Sequence, residues 1–419
     1  MLAGGFVTGG TPYRYVLNAY GPGSPNGPAF AGQSLVGNAG NNWDYRLQNV
    51  YVEPGGPQPP EPLPPQPPTP PQPSGSGPGP VPPPTLPQPP DPPVPPGARP
   101  EVAPQVPAYI AAPTALFYAG LQNIDELHRR LGEIRDDALA GKDDNVEFFL
   151  RGFGNSFNYK TNVPFASDGF NFTGDYSAQQ FGANWLGGRN AGGSMRIGLF
   201  VTTGQLWYRP VAVDGASKGY VDSTTVSGTV TWQAAAGWYL DTIVSGGTFN
   251  GQVSTATMSD VGGLKGNTFL LSVEAGYPMK LGSNGLFVEP EAQFVFQHLG
   301  FNRETDVDGI DLGGQNQGIF RAGLRLVRPI TGPGDMPITP YLKLNLLQGI
   351  GGNGKVHLSN VGFDTGAFGT QLDFGGGVTG AITRNLFIYS DVANEQDIGG
   401  SGFRGWAFNG GLRYQFGAP

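Results

Sequence analysis

Residues 145–416 restrict the fold more than any other part of the chain, because apolar and polar residues alternate there in one short segment after another. In residues 268–277, for example, Phe269, Leu271 and Val273 alternate with Ser272 and Glu274. A period of two residues is typical of a β-strand with one apolar and one polar face. Turns rich in Gly, Asn and Asp separate the segments, so the pattern predicts an antiparallel sheet.

Segment length and number help to decide between two kinds of sheet. A soluble β-sandwich also has an apolar and a polar face, so the alternation alone does not exclude it. Many segments reach the roughly 9–11 residues that a tilted strand needs to cross a bilayer, and several end in Trp, Tyr or Phe, where an aromatic girdle lies. We therefore predict an all-β fold, a twelve-stranded antiparallel transmembrane β-barrel, with strands near residues 145–158, 172–186, 193–207, 222–235, 237–250, 267–280, 285–299, 317–329, 337–349, 369–382, 385–394 and 406–416.

The composition is compatible with a barrel and excludes other classes of protein. The chain has 69 Gly, 41 Pro and only 13% charged residues, which is unlike an ordinary enzyme. It has no run of about 18 apolar residues, so a helical membrane span is excluded. A net charge of −8 argues against nucleic acid as a partner. Because cysteine is absent, disulfides and thiol catalysis are impossible, which suits an oxidising periplasm.

Two segments of different composition come first. Residues 1–53 hold short apolar patches between Gly-, Asn- and Pro-rich connectors; they indicate strands of something larger, or a partly disordered leader. Pro makes up about half of residues 54–100, which predicts an extended polyproline II linker, with docking into a partner's aromatic groove as the functional alternative. The first seven residues lack the features of a signal peptide, so we expect a trimmed sequence or the tail of a longer gene.

Residues 101–144 are predicted to contain one helix that leads into the first strand. It should begin after Pro113 with Thr114 as its cap and end near Gly141. About 25 helical residues measure roughly 37 Å, enough to pass through a barrel. A surface helix on a soluble sheet is the alternative, but the position next to the first strand favours the lumen. The plug side chains would be Phe117, Leu121, Ile124, Leu127, Arg129, Arg130 and Leu131.

The polar faces of the strands would line the lumen. The predicted lining is Glu274, Glu289, Glu291, Gln293, Arg321, Arg325, Lys343, Asp373 and Arg413. Paired carboxylates in such a lumen could serve hydrolysis, but charge pairs across a polar lumen are the favoured interpretation. The three histidines, His128, His298 and His357, are far apart in the sequence, so no zinc site of ordinary spacing is expected. We predict no catalytic, cofactor or metal site.

One short motif has the spacing of a phosphate-binding loop. It is the sequence GIGGNGK at residues 349–355, directly after a predicted strand. Val356 stands where a hydroxyl is needed to bind magnesium, and no helix pattern follows to direct backbone N–H groups at a phosphate. Nucleotide binding is therefore not predicted.

Several motifs together resemble the translocators of classical, pertactin-like autotransporters, which are type V secretion proteins. After the Pro-rich linker come LHRRLGE at residues 127–133 and FLRGFG at 149–154, then GWYLD at 237–241, SVEAGY at 272–277, EPEAQ at 289–293 and GLRYQF at 411–416. NNWDYRL at residues 41–47 is similar to the closing signature of a β-helical passenger. The family usually ends on its terminal aromatic residue, whereas three residues follow Phe416 here.

The resemblance implies a barrel in the outer membrane of a Gram-negative bacterium, plugged by the helix, with residues 1–100 at the cell surface. Residues 1–53 would be the carboxy-terminal remnant of the passenger, which a linker on the order of 145 Å long would hold clear of the membrane. The expected partners are outer-membrane lipid, the barrel-assembly machinery, periplasmic chaperones and the chain's own passenger, and the barrel should be monomeric. The strand with Phe408, Leu412, Tyr414 and Phe416 would carry the assembly signal.

Other functions are compatible with the same residues. A pore for small solutes, an outer-membrane hydrolase and a surface adhesin are the competing classes. Some family members cleave themselves at an Asn pair in the helix; here Ile124 follows Asn123, so that activity is not expected.

Overall fold

A closed barrel of twelve antiparallel strands forms the main body of the computed structural model, which describes residues 6–7, 11–31, 42–56, 94–134, 145–304 and 309–416. The strands are β1 (Asn145–Lys160), β2 (Asn171–Asn190), β3 (Gly193–Val211), β4 (Ser217–Ala234), β5 (Tyr239–Thr255), β6 (Gly262–Gly276), β7 (Leu286–Phe301), β8 (Gly314–Val327), β9 (Pro337–Ile350), β10 (Thr370–Ala381), β11 (Leu386–Asp397) and β12 (Gly402–Gln415). β12 pairs with β1 from Gly402↔Lys160 to Gln415↔Glu147, which closes the sheet. The predicted fold class is confirmed.

Side chains alternate between the lumen and the outer surface along each strand. On β12, Leu412 is 42% exposed and Gln415 only 2%. The outer surface carries an apolar belt of exposed large side chains, which includes Leu150, Phe181, Leu199, Val226, Val244, Phe269, Phe294, Phe320, Leu344, Phe374, Ile388, Phe408, Leu412, Tyr414 and Phe416. Because each strand turns its polar row inward, this belt is the surface that lipid would cover.

The two ends of the barrel differ. At one end, short turns join the strands, as between β2 and β3 and between β10 and β11, and β1 begins and β12 ends there. At the other end the connections are longer, as in residues 161–170, 302–313 and 351–369. We call these the turn end and the loop end.

Two helices lie in the lumen, and their bounds differ from the prediction. α1 (Val106–Ile124) begins earlier than expected, with Pro107 in its first turn, where a missing N–H costs nothing. Pro113 lies inside α1, and Thr114 does not cap it but donates a hydrogen bond to the Gly366 carbonyl at 2.9 Å. Almost all of α1 is buried, so contact with the barrel wall outweighs the cost of an internal proline. Among the described residues, no helix combines the length and apolarity that a membrane crossing would require.

A break separates the helices, so the prediction of one helix to Gly141 is wrong. Asp125 has a φ of 47° and Glu126 is extended, and α2 (Leu127–Leu131) follows. The carboxylates of Asp125 and Glu126 form ion pairs with charged side chains of the barrel wall. α2 ends at Gly132, where φ is 70° and a Cβ would lie 3.0 Å from the Thr379 hydroxyl. Residues 135–144 lie outside the described residues.

The described amino-terminal residues lie over the loop end. There, strand Tyr15–Tyr20 pairs with Asp44–Asn49, and Tyr51–Val52 pairs with Arg99–Pro100. The backbone pairing of Tyr51–Val52 with Arg99–Pro100 brings the two ends of the Pro-rich linker together, and the Tyr13 ring lies 6.3 Å from that of Phe363 in a barrel loop. The described part of residues 1–53 therefore contacts the barrel loops, and the expectation that the linker holds residues 1–53 clear of the membrane stays a prediction. The predicted polyproline II conformation falls on residues 57–93, outside the described residues.

The orientation of β12 generates a prediction about stability. Changing Leu412 to Arg would place a cation in the apolar belt, and we expect a loss of about 2–4 kcal/mol near mid-membrane. The matched control is Gln415→Arg, which puts the same side chain into the polar lumen and should be mild. Heat-modifiable gel mobility and a denaturant titration measure folding. If Gln415→Arg were the more damaging change, the inward and outward rows of β12 would be exchanged.

Candidate functional site in the barrel lumen

Glu126, at the break between the helices, joins the plug to the far wall of the lumen. Its carboxylate accepts from Arg321 Nη1 at 2.5 Å, from Lys343 Nζ at 2.8 Å and from Asn345 Nδ2 at 3.4 Å. The carboxylate can reach β8 and β9 because the backbone is extended at Glu126. Glu126 is buried, and a buried charge is tolerated only when it is paired, so these contacts fix the position of the break.

The other side of the break is held in the same way. Asp125 Oδ2 accepts from Arg151 Nη2 of β1 at 2.8 Å and from Arg129 Nη1 of α2 at 2.9 Å. The Asp125 carbonyl accepts from Gln293 Nε2 at 2.9 Å. The Leu127 N–H, at the start of α2, donates to the Glu274 carboxylate at 3.2 Å. The break therefore contacts three separate parts of the barrel wall.

Two arginines anchor α2 to the wall. Arg129 Nε donates to Asp391 Oδ1 of β11 and Arg130 Nη2 donates to Asp241 Oδ2 of β5, each at 2.9 Å. Wall side chains also satisfy the backbone carbonyls of α2, since the Tyr389 hydroxyl donates to the Arg130 carbonyl at 2.6 Å. Opposite walls therefore hold this short helix between them.

A second charged layer lies toward the turn end. Arg325 Nη1 lies 3.1 Å from Glu133 Oε2 and 3.3 Å from Glu289 Oε2. Arg413 Nη1 donates to Glu147 Oε2 at 2.8 Å, and its Nη2 donates to the Glu133 carbonyl at 2.9 Å. The closing pair of strands, β12 and β1, is thus tied to the plug as well as to each other.

Hydrogen bonds from uncharged side chains hold α1 near the loop end. The Tyr118 hydroxyl donates to Glu395 Oε2 at 2.5 Å, Gln297 Nε2 to the Phe117 carbonyl at 3.1 Å, and the Tyr208 hydroxyl to the Ala108 carbonyl at 2.9 Å. Apolar side chains fill the space between these contacts. Apolar packing therefore seals the lumen around α1, toward the loop end. Ion pairs seal it around α2, toward the turn end.

A strap, defined here as residues 99–103, crosses the mouth of the barrel. Both Arg99 Nη atoms bind the Asp214 carboxylate, at 2.6 and 2.5 Å, and Nη1 also lies 3.1 Å from Asp168 Oδ1. The Val102 N–H donates to Asp214 Oδ1 at 3.0 Å. The strap is thereby attached to the β1–β2 and β3–β4 loops, in the bidentate geometry that favours Arg over Lys.

The strap also holds the amino-terminal segment. Arg14 forms a buried ion pair with Glu101, the Arg14 N–H donates to the Glu101 carbonyl at 2.9 Å, and the Glu101 N–H donates to the Val50 carbonyl at 2.7 Å. Burial raises the pKa of Glu101 to about 7 and that of Asp168 to about 6, against the opposing effect of Arg14 and Arg99 respectively. Protonation of either carboxyl therefore becomes easier when the strap is docked.

All the side chains predicted to line the lumen are buried inside it. The structure brings Arg321 together with Glu274 at 3.1 Å, Glu291 at 3.2 Å and Gln293 at 2.9 Å. It also joins Arg325 to Glu289, and it places Lys343 Nζ 3.8 Å from Asp373 Oδ2. Arg413 lies apart from these groups, with Glu147. The buried plug residues are Phe117, Leu121, Ile124, Leu127, Arg129, Arg130 and Leu131.

Sequence reasoning missed residues that complete the site. They are the plug carboxylates Glu126 and Glu133, the wall residues Glu147, Arg151, Asp241, Asp391 and Glu395, and the strap contacts Arg14, Arg99, Glu101 and Asp214. The wall residues stand on the polar rows of their strands, so the alternation could have identified them. The strap residues carry no such signal, because no periodic pattern surrounds them.

The predicted lumen carboxylates pair with arginine or lysine, as expected for charge pairs across a polar lumen. The Gly-rich motif at residues 349–355 leads into the strand Lys355–Leu358, and Lys355 Nζ pairs with Asp364 at 2.7 Å in solvent. Because a strand and not a helix follows, the motif does not form a phosphate-binding loop.

Comparison with known proteins identifies the same architecture elsewhere. A family model described as "Autotransporter beta-domain" matches residues 148–393. The pertactin autotransporter of Bordetella parapertussis is 30% identical over 314 residues, which is 72% of this chain and 31% of that protein. The chain therefore spans about a third of the length of this relative.

Two solved structures share the fold at low sequence identity. The transport unit of the autotransporter AIDA-I from Escherichia coli has a TM-score of 0.58 at 17% identity and covers 75% of this chain and 99% of its own. The translocator domain of the autotransporter NalP from Neisseria meningitidis has a TM-score of 0.55 at 16% identity. The match covers 74% of this chain and 99% of that domain.

The family match covers more than half of the chain and begins and ends within the barrel. The resemblance that the short motifs indicated is thereby confirmed, and the barrel is a protein of the outer membrane. The chain belongs to the autotransporter beta-domain family.

Proposed function

We propose that this chain is an autotransporter translocator, which inserts in the outer membrane, exports a passenger amino-terminal to it and anchors that passenger at the cell surface. One observation carries the proposal: the chain runs through the lumen from the loop end at Val106 to Ile134 near the turn end, where β1 begins. The described residues before α1 thus lie at the opposite face of the barrel from the start of β1. A chain that threads its own barrel in this way has its amino-terminal part on the far side of the membrane.

The proposal assigns a role to each segment. Residues 1–53 are the carboxy-terminal remnant of the passenger, 54–100 the linker, 101–144 the helical segment through the barrel and 145–419 the translocator barrel. The pairing of described residues in 15–20 and 44–49 over the loop end supports the first assignment. The burial of α1 and α2 supports the third. Residues 1–100 would then be at the cell surface.

The closed lumen argues against the competing functions. An open pore needs a water-filled path, whereas both helices here are buried on all sides. A hydrolase needs a carboxylate that is free to act, whereas Glu126, Glu274 and Glu291 share the Arg321 guanidinium. We propose no catalytic activity and no nucleic-acid partner, and we propose a single-chain barrel that depends on lipid, the barrel-assembly machinery and periplasmic chaperones.

The seal generates a prediction about conductance. A barrel of twelve strands is too wide for wall side chains to fill alone, so removal of residues 106–134 should open a conducting path. Planar bilayer recordings should then detect a higher single-channel conductance than for the intact chain. The matched control is removal of residues 15–49, whose described part lies outside the lumen, and it should leave conductance unchanged. Equal conductance of the plug deletion and the intact chain would contradict a sealing role.

The strap generates a second prediction. Asp214→Asn removes a buried charge partner of Arg99, and truncating one side of a buried ion pair costs on the order of 3–5 kcal/mol. We expect the amides of Arg99, Glu101 and Val102 to exchange hydrogen faster by mass spectrometry, while α2 stays protected. Asp260→Asn, at an exposed position in another loop of the same end, is the control. Unchanged exchange in the strap would mean that Asp214 does not hold it.

The topology generates a third prediction. With a signal peptide supplied upstream, protease added to intact cells should remove an epitope tag placed before Gly5, because the proposal puts residues 1–100 at the cell surface. A tag in the turn between β10 and β11, at residues 383–385, should stay protected until the outer membrane is permeabilised. The reverse pattern would place the amino-terminal part in the periplasm, and the export function would have to be abandoned.

A further inference from the structure

The fold brings together three potential metal ligands that the sequence separates. His128 of α2 and Glu289 and Glu291 of β7 direct one ligand atom each into a common space, with all three atoms within 4.8 Å of one another. Each residue is at least 95% buried. No zinc site was expected from the sequence, because the three histidines are far apart in it; the two carboxylates here lie more than 150 residues after His128, and the plug brings His128 to them.

The distances fit coordination better than a hydrogen bond. His128 Nε2 lies 3.5 Å from Glu289 Oε1, which is too long for a good N–H···O bond. Two ligands at about 2.0–2.1 Å from a tetrahedral Zn²⁺ are separated by about 3.3 Å, so this pair is already close to the edge of a coordination tetrahedron. His128 Nε2 and Glu291 Oε1 are buried without a hydrogen-bond partner among the described residues. Both atoms are therefore available to a ligand.

The imidazole is oriented in the manner of a metal ligand. His128 Nδ1 faces the Gly132 carbonyl at 3.4 Å, a long contact in which only an Nδ1–H could donate; in the neutral imidazole that tautomer leaves the lone pair on Nε2. Histidines that bind metals usually donate their other ring N–H to such a carbonyl or carboxylate. The Tyr239 ring packs edge-on against the imidazole at 5.5 Å and limits its rotation.

The surrounding charge favours a cation. Glu291 has Arg321 as its ion-pair partner among the described residues, and that guanidinium is shared with Glu126 and Glu274. Lys343 also contacts Glu126, and Arg325 contacts Glu133 and Glu289. Three cations therefore face the five carboxylates Glu126, Glu133, Glu274, Glu289 and Glu291, and negative charge remains in excess beside His128. A divalent cation would compensate it.

We propose that His128, Glu289 and Glu291 form a site for a divalent transition-metal ion, with Zn²⁺ as the best match to one imidazole and two carboxylates. The ion would connect the plug helix α2 directly to the barrel strand β7. This is a role beyond export, since it would fix the closed state of the lumen after the passenger has crossed. The proposal depends on the lumen geometry and not on the direction of export, so its failure would leave the proposed function intact.

The test measures Zn²⁺ binding to the full chain folded in detergent micelles. After chelator treatment and its removal, titration calorimetry with zinc chloride and metal analysis of the dialysed protein should give saturable binding of one Zn²⁺ per chain. His128→Asn, Glu289→Gln and Glu291→Gln should each weaken binding by about tenfold or more. Zn²⁺ should also raise the temperature of the heat-modifiability transition of the intact chain but not of these variants.

Controls make the result specific. His357→Asn changes an exposed histidine in a loop of the opposite end and should bind Zn²⁺ as the intact chain does. Heat-modifiable mobility verifies folding, and if His128→Asn did not fold, the two glutamine variants would decide the outcome. Absence of saturable binding to the intact chain would overturn the proposal, and so would equal binding by the folded ligand variants or loss of binding in His357→Asn. His128 would then be a buried partner of Glu289 only.

Discussion

The pairing of β12 with β1 is the interaction on which the rest of the structure depends. Lipid offers no hydrogen-bond partner to a backbone group, so a strand sheet can cross a bilayer only when it has no free edge. The continuous register from Gly402↔Lys160 to Gln415↔Glu147 removes that edge. Closure also fixes which row of each strand faces inward, and it thereby creates a lumen whose polar walls need partners.

The plug supplies those partners. A carboxylate or guanidinium buried in the lumen is costly unless an opposite charge meets it, and the chain segment at Asp125 and Glu126 meets charges from β1, β8 and β9 at once. The backbone is extended at Glu126, between the two helices, where its carboxylate pairs with Arg321 and Lys343. The segment in the lumen thus carries the charged groups that the lumen walls require.

Buried ion pairs also hold the chain at the mouth of the barrel. Arg99 and Glu101 bind barrel loops and the amino-terminal segment respectively, so the strap connects the two parts of the chain. The backbone pairing of Tyr51–Val52 with Arg99–Pro100 holds the two described ends of the Pro-rich linker together. The length of a linker limits how far apart two segments can be. Contacts at the ends of the linker determine how far apart they are.

The sequence by itself determined the class of fold, the number of strands and the inward or outward direction of side chains such as Leu412 and Arg413. These properties depend on a period of two residues, which neighbouring positions set locally. Tertiary structure alone decided the break at Asp125, the strap contacts of Arg99 and the meeting of His128 with Glu289 and Glu291. Several of these contacts, such as Arg99 with Asp214 and Glu126 with Lys343, join residues more than a hundred positions apart. A local pattern contains no information about which distant charge will be near. The bounds of α1 show the same limit, because Pro113 is tolerated only through the contacts that the barrel wall provides.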